Sequence, residues 1–230
     1  MIAMHEVLGH GSGKVSDTLA GDPRVYLKEY YSTLEEARAD LVALWDFADP
    51  KLTEMGVSDQ KELMRAAYDA EARSGLTLLY RYPHGDQIEE DHDRGTQLIV
   101  NYLMKKFNAI EMTLSNGKFY LRVTDYDRMH AGVGHLLAEL MRIKAEGDYY
   151  AIRTLVSMYG VKFNTDWRDQ VQARAIRIGL PTRGAFLSPL IEPVRDSGGN
   201  LVDARLRYTL DLAEVMLDYS RKSLGYLPYK

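Results

Sequence analysis

The sequence predicts a mainly α-helical protein with two small β-hairpins. Apolar residues recur at spacings of three and four in several long runs, for example at Leu34, Ala37 and Leu41, and this period is typical of helices with one buried face. Two turn sequences, residues 115–118 and 196–200, lie between apolar runs and predict hairpins. The chain has 230 residues, 46% of them hydrophobic, which is enough for a substantial core.

Prolines and a capping serine mark the helix boundaries in the first half of the chain. After an opening helix and a glycine-rich loop, a helix is expected over 25–48, either continuous or broken into two near Ser32. It ends before Pro50, because proline disfavours helical geometry in the residue that precedes it. Ser58 is the expected N-cap of the following helix, which ends before Pro83.

Glycines end several helices in the second half. Gly147, Gly160 and Gly179 each follow a stretch of helical pattern. The hairpin strands are expected within 112–123 and over 186–194 with 201–208. The helices are expected over 87–111, 125–146, 149–159, 164–178 and 210–222.

Composition narrows the possible partners and compartments. The net charge is −4, which gives no basic footprint for nucleic acid. No apolar run approaches the ~20 residues that span a bilayer, so we expect no membrane partner. The chain has no cysteine, which excludes disulfides and thiolate ligands and favours a reducing, cytoplasmic location. No linker or low-complexity tract appears, so a single domain over 1–230 is expected.

The first ten residues contain the most specific motif, His-Glu-x-x-Gly-His. His5 and His10 flank Glu6, as metal ligands flank a general base in zinc hydrolases. On a regular α-helix, residues five apart point about 140° away from each other. Both imidazoles can therefore reach one metal only if the turn is widened, as in a π-bulge. Gly9 lacks a Cβ and is where such a distortion is easiest. The alternative is a surface helix with two incidental histidines.

A third ligand is available from the next helix. Zinc needs a further protein ligand and an open position for water. Glu35 and Glu36 open the helical run 34–45, and an acidic side chain on its inner face could point into a site shared with the first helix. The alternative is an ordinary solvated helix start, where carboxylates favour the positive end of the dipole.

These segments together resemble the dipeptidyl-peptidase III family of zinc exopeptidases. That family has H-E-x-x-G-H followed by G-S-G-K, matched here by residues 5–14, and then E-E-C-R-A-E/D, matched by residues 35–40. Ala37 stands where many members have cysteine, a position that is not a ligand. Residues 91–92 and 191–193 match the family more loosely. The resemblance implies a helical zinc-peptidase catalytic lobe.

The resemblance implies that His5, His10 and Glu36 hold Zn2+ and that Glu6 takes a proton from the attacking water. Ligand histidines usually donate their other N–H to a carboxylate, and Glu35 and Asp40 are suited to accept it. A buried salt bridge, for example with Arg38, is an equally weighted alternative for Asp40.

Among the four other histidines, three lie in predicted helices. The family resemblance implies that His92 helps to stabilise the tetrahedral intermediate or to steer the substrate. The alternative interpretation is that the segment around His92 is only a helix N-terminus rich in acidic residues. His130 and His135 also lie five apart on a helix, but no glutamate follows His130 and leucines surround His135, so both are expected to be structural.

The function implied by the resemblance is the release of dipeptides from the N-terminus of short peptides. In the family, the groups that capture the free amine lie mainly in a second lobe, which we expect this chain to lack. We therefore expect a fragment of a longer two-lobed enzyme whose natural start lies upstream. The alternatives are an inactive fragment, a non-catalytic helical domain with a structural zinc, and a zinc hydrolase acting on another amide or ester. The absence of cysteine and the presence of Glu6 argue against a structural zinc.

Overall fold

The computed structural model describes residues 1–56, 59–180, 189–209 and 211–224, and it confirms the mainly α fold with two small antiparallel hairpins. The chain divides into two compact units, 1–180 and 181–230, each of which is described by itself. That the whole chain forms one catalytic lobe stays a prediction. Within the described residues, no helix is both long and apolar enough to cross a membrane.

The first unit contains nine α-helices and one hairpin among its described residues. Short 3-10 turns at Lys28–Tyr30 and Leu78–Arg81 and π turns at His5–Gly9 and Val156–Gly160 extend or join the helices. The elements are α1 (Ile2–Met4), α2 (Pro23–Leu27), α3 (Tyr31–Asp46), α4 (Lys51–Glu54), α5 (Gln60–Thr77), α6 (Asp91–Phe107), β1 (Ile110–Ser115), β2 (Lys118–Val123), α7 (Tyr126–Glu146), α8 (Tyr149–Leu155) and α9 (Thr165–Arg177).

The expected widening of the first helix is present. The backbone N–H of His10 donates to the carbonyl of His5 over 3.0 Å, the five-residue step of a π-helix. Gly9 is buried, and a Cβ at this position would lie 2.8 Å from the Cα and 2.9 Å from the carbonyl oxygen of Ala39. Glycine is therefore required because the π turn packs directly on the backbone of α3.

The central helix α3 forms the middle of the core of the first unit. Leu34, Leu41 and Leu44 are fully buried, and α3 packs against α6, α7 and the π turn. The helix expected over 25–48 is divided into two, which was one of the two expectations. The break lies at the 3-10 turn over 28–30 rather than near Ser32, and Lys28 there has a positive φ of 51°.

The boundaries of α5 and α6 are set by acidic caps. Ser58 lies outside the described residues, and the Asp59 carboxylate accepts the Lys61 N–H at 2.9 Å at the start of α5. The expected helix over 87–111 is too long at both ends. Glu90 caps α6, and Asn108 ends it in the left-handed conformation, which turns the chain into β1.

The first hairpin follows the predicted turn. Strands β1 and β2 pair antiparallel, from Ile110 opposite Val123 to Ser115 opposite Lys118. Asn116 and Gly117 both have positive φ, at 49° and 70°, as a tight hairpin turn requires. The predicted hairpin is confirmed, with its first strand beginning two residues earlier than expected.

The second unit consists of a hairpin and a helix in its described part. These are β3 (Leu190–Arg195), β4 (Leu201–Arg207) and α10 (Leu212–Leu224). In the intervening turn, the Asp196 carboxylate accepts the backbone N–H groups of Gly198 and Asn200, both at 2.9 Å. Residues 186–188 and 210 of the expected elements lie outside the described residues.

Replacing Gly75 by alanine should lower the free energy of unfolding by about 1–2 kcal/mol. The new Cβ would lie 2.9 Å from the Cβ of Val100, so α5 and α6 must move apart. Overpacking of this kind costs about 1–3 kcal/mol, more than the ~1 kcal/mol that alanine gains in helix propensity. Urea unfolding measures the loss, with Ser74→Ala on the same helix as the control. Equal midpoints for the two variants would contradict this packing.

Candidate metal centre

The π turn and α3 together form a cluster of metal-binding side chains. The ligand atoms of His5, Glu6 and His10 all lie within 4.8 Å of one another. The two imidazole rings meet edge to face, with centroids 4.8 Å apart. The widened turn therefore brings both histidines to the same side of the helix, which a regular α-helix does not do for residues five apart.

Glu36 completes the cluster from the facing helix. Its Oε2 lies 3.3 Å from His5 Nε2 and 3.6 Å from His10 Nε2. This oxygen is buried and has no hydrogen-bond partner among the described residues. Tetrahedral zinc with bonds near 2.0–2.1 Å holds its ligands about 3.3 Å apart. The spacing and the nitrogen and oxygen donors therefore fit a zinc ion bound by these three residues.

Asp40 fixes the orientation of His5. Its Oδ1 accepts a hydrogen bond from His5 Nδ1 at 2.7 Å, which leaves Nε2 free to bind a metal. Burial raises the pKa of Asp40, and the hydrogen bond with His5 acts in the opposite direction. The alternative of a salt bridge with Arg38 is not what the structure shows, because Arg38 binds Glu35 instead.

Glu35 lies away from the imidazoles, contrary to the expectation that it would accept a hydrogen bond from a ligand histidine. Arg38 donates to both of its oxygens at 3.0 Å, and Lys144 of α7 donates to Oε2 at 2.9 Å. Burial opposes ionisation of Glu35, but the hydrogen bonds from Arg38 and Lys144 outweigh it and lower its pKa. Adjacent residues on a helix point about 100° apart, so only Glu36 can face the histidines.

His92 approaches the cluster from the start of α6. Its Nε2 lies 3.2 Å from Glu36 Oε2, and its Nδ1 lies 2.6 Å from Glu90 Oε1. Burial alone would lower the pKa of His92, but the hydrogen bond to Glu90 and the charge of Glu36 raise it. The expected acid-rich helix start is also present, since Glu90 is the N-cap. His92 thus lies beside the cluster at an acid-rich helix start, and its role in catalysis stays a prediction.

Glu6 is the freest member of the cluster. Its side chain is exposed, and it forms no hydrogen bond or ion pair within the described part of the chain. An uncommitted carboxylate beside two possible ligands is suited to accept a proton from water.

His130 and His135 lie outside the cluster. Their Nδ1 atoms form hydrogen bonds with the hydroxyl groups of Tyr68 and Tyr102, at 2.8 and 2.9 Å.

Two carboxyl groups near the site were not identified from the sequence. Glu90, the partner of His92, lies in an acidic run that gave no reason to choose among its members. Glu71 is buried on α5, and its Oε1 has no hydrogen-bond partner in the described part of the chain. Burial together with the charge of Asp40 raises its pKa well above the usual range. The helical period could have identified Glu71, because it lies three residues after the core residue Tyr68.

Solved structures of similar fold are dipeptidyl-peptidase III enzymes. The chain is 30% identical to the enzyme from Corallococcus sp. strain EGB, with a TM-score of 0.58, over 76% of this chain and 30% of that one. It is 26% identical to the enzyme from Caldithrix abyssi, with a TM-score of 0.55, over 76% of this chain and 31% of that one. No protein-family model matches the chain.

Among curated proteins, the chain is 29% identical to Nudix hydrolase 3 of Arabidopsis thaliana, over 65% of this chain and 18% of that protein. The chain thus spans less than a third of the length of each of these relatives. The fold is peptidase-like. More specifically, the structures confirm the resemblance to dipeptidyl-peptidase III that the motifs indicated.

Replacing Asp40 by asparagine should weaken zinc binding about 10- to 100-fold, the usual effect of altering a carboxylate behind a ligand histidine. The amide oxygen of asparagine can still accept a hydrogen bond from His5 Nδ1, so the loss of affinity reports the missing charge. Competition with a chelator measures the dissociation constant. Asp46→Asn, near the end of the same helix, is the control and should bind zinc as the unaltered chain does. Equal affinities of the two variants would remove Asp40 from the metal centre.

Proposed function

We propose that this chain is the catalytic lobe of a zinc metallopeptidase that releases dipeptides from the N-terminus of short peptides. The observation that carries the proposal is the convergence of His5 Nε2 and His10 Nε2 on the buried oxygen of Glu36, which accepts no hydrogen bond from the described residues. The similarity to two dipeptidyl-peptidase III structures supports the same reaction class.

The three ligand residues would hold zinc and leave one position open. Bound there, zinc would supply a Lewis acid that makes water acidic enough to lose a proton near neutral pH. His5 must bind through Nε2, because Asp40 holds its Nδ1 proton.

Glu6 is proposed as the general base and then the general acid. Its exposed carboxylate accepts a proton from the attacking water, whose oxygen forms a bond with the carbonyl carbon of the peptide. When the C–N bond breaks, Glu6 returns that proton to the leaving amine nitrogen. Each step moves one proton, so Glu6 ends the cycle ionised as it began.

His92 is proposed to stabilise the oxyanion of the tetrahedral intermediate. Its contact with Glu36 places Nε2 beside the cluster, and the carboxylate of Glu90 favours the protonated, donating form of the ring. The side chain is 64% exposed, so it can reach a substrate in an open cleft.

Dipeptide release requires recognition of a free amine, and we propose that a second lobe supplies it. The matched region covers less than a third of either dipeptidyl-peptidase III structure, so substrate capture is assigned to residues beyond that region. Short peptides would be the substrates, and the absence of cysteine suits a cytoplasmic location.

A structural zinc site is the second candidate function, and His92 favours it. Its Nε2 lies as close to Glu36 Oε2 as that of His5 does, so it could complete a closed set of four ligands. Structural sites are closed, whereas catalytic sites keep a position for water. The two candidates differ in whether Glu6 is needed for any reaction.

Replacing Glu6 by glutamine should leave about one zinc per chain and lower hydrolysis of a dipeptidyl-arylamide at least 100-fold, because the proton acceptor is lost while the ligands remain. Metal analysis after dialysis and the release of the arylamine measure the two effects. Glu62→Gln, an exposed glutamate on α5, is the matched control and should change neither.

The assay is run on this chain and on the complete gene product. Hydrolysis only by the complete product, lost on Glu6→Gln, supports a catalytic lobe that needs its partner. A complete product that binds zinc but hydrolyses nothing would favour the structural site. A chain that binds no zinc would overturn both candidates.

A further inference from the structure

The two histidines of the motif are held in place differently. His5 has a carboxylate partner, because its Nδ1 donates to Asp40 at 2.7 Å. His10 has no such partner among the described residues. Its Nε2 lies 3.6 Å from Glu36 Oε2, and its ring meets that of His5 edge to face. The position of His10 therefore depends on the backbone that carries it, at the end of the π turn.

That backbone is held by Ser12. The Gly9 carbonyl accepts two hydrogen bonds from Ser12, one from the backbone N–H at 3.2 Å and one from the hydroxyl at 2.9 Å. Gly9 also lies directly on the backbone of Ala39, so the turn is held from both sides. His10 lies between Gly9 and Ser12, and a shift of this turn would move its imidazole.

Ser12 is in turn fixed by a buried ion cluster. Its hydroxyl accepts a hydrogen bond from Arg38 Nη1 at 2.9 Å. The Arg38 side chain is fully buried, and its Nε and Nη2 bind the two oxygens of Glu35 at 3.0 Å each. This two-point pairing prevents the planar guanidinium from rotating. Lys144 of α7 holds Glu35 from the other side.

We propose that Ser12 and Arg38 are positioning residues for the zinc ligand His10. Glu35 and Lys144 fix Arg38 between α3 and α7. Arg38 in turn fixes the Ser12 hydroxyl, which holds the Gly9 carbonyl by a hydrogen bond. This inference rests on the proposed zinc centre of His5, His10 and Glu36. It gives Glu35 an effect on the metal through Arg38, although Glu35 does not contact a ligand.

The proposed role requires a hydroxyl group at position 12. It donates to the Gly9 carbonyl and accepts from Arg38 at the same time, which one hydroxyl can do and a methyl group cannot. Threonine keeps both bonds, and alanine loses both. Arg38 keeps its two bonds to Glu35 in either variant, so the buried ion pair stays intact. The alanine variant leaves Arg38 Nη1 without this acceptor and is therefore expected to melt at a lower temperature.

The test compares the zinc affinity and the stability of the metal-free form in the full chain. Ser12→Ala should raise the zinc dissociation constant about tenfold, at the low end of the effect of removing a group that orients a metal ligand. Ser12→Thr should restore the affinity of the unaltered chain. Ser16→Ala, which removes another hydroxyl from the same loop, is the matched control and should leave the affinity unchanged.

The metal is titrated as zinc alone against a chromophoric chelator, and the melting temperature is recorded without metal. A Ser12→Ala chain that is still folded at the temperature of the titration, but binds zinc more weakly than the Ser12→Thr and Ser16→Ala chains, supports positioning. If Ser12→Ala does not fold, Ser12→Asn takes its place, since it moves the polar atoms away from the Gly9 carbonyl. It should weaken zinc binding to a similar extent.

Failure of this inference and failure of the zinc centre give different results. If the unaltered chain binds zinc no more tightly than His10→Ala does, the zinc centre is overturned, and the positioning role with it. If the unaltered chain binds zinc tightly and the folded position-12 variants bind it equally well, the zinc centre stands and the positioning role is overturned.

Discussion

The candidate centre depends on one close contact, between Gly9 of the π turn and the backbone of α3 at Ala39. Without a side chain at Gly9, the two backbones come together, and the residues on either side of the contact face each other. The wider turn then presents His5 and His10 on one side, opposite Glu36. Neither feature suffices alone, because the π turn orients the imidazoles and the missing Cβ brings α3 within reach.

Much of the fold could be predicted because its boundary signals are local. The turn at Asn116-Gly117 and the left-handed Gly147 take the conformations that their residue types favour. The limits of α6 could not be predicted in the same way. Several acids near its start could serve as a cap, and Glu90 is selected by the packing. Asn108 ends the helix in the left-handed conformation, which asparagine tolerates, but the presence of an asparagine alone does not predict a helix end.

In the candidate site too, what depends on local sequence could be predicted and what depends on tertiary structure could not. His5, Glu6 and His10 lie within one short motif, so their proximity could be read from spacing plus a bulge. Which residue of the pair Glu35 and Glu36 faces the histidines depends on the rotation of α3 about its axis, and the family resemblance supplied that choice. The partners of these groups come from distant parts of the chain: Lys144 is 109 residues from Glu35. No local pattern encodes such a pairing.

Glu71 adds an uncommitted acid to the interior of the first unit. Inside the fold, its carboxyl has a pKa well above the ordinary value of 4.5, because burial and the charge of Asp40 both disfavour the ionised form. The unfolded chain would ionise it near that ordinary value, so between that value and the folded pKa unfolding releases a proton from this side chain. Its contribution to folding is complete below the ordinary value and is lost as the pH rises through the folded pKa, so deprotonation of this buried carboxyl destabilises the fold.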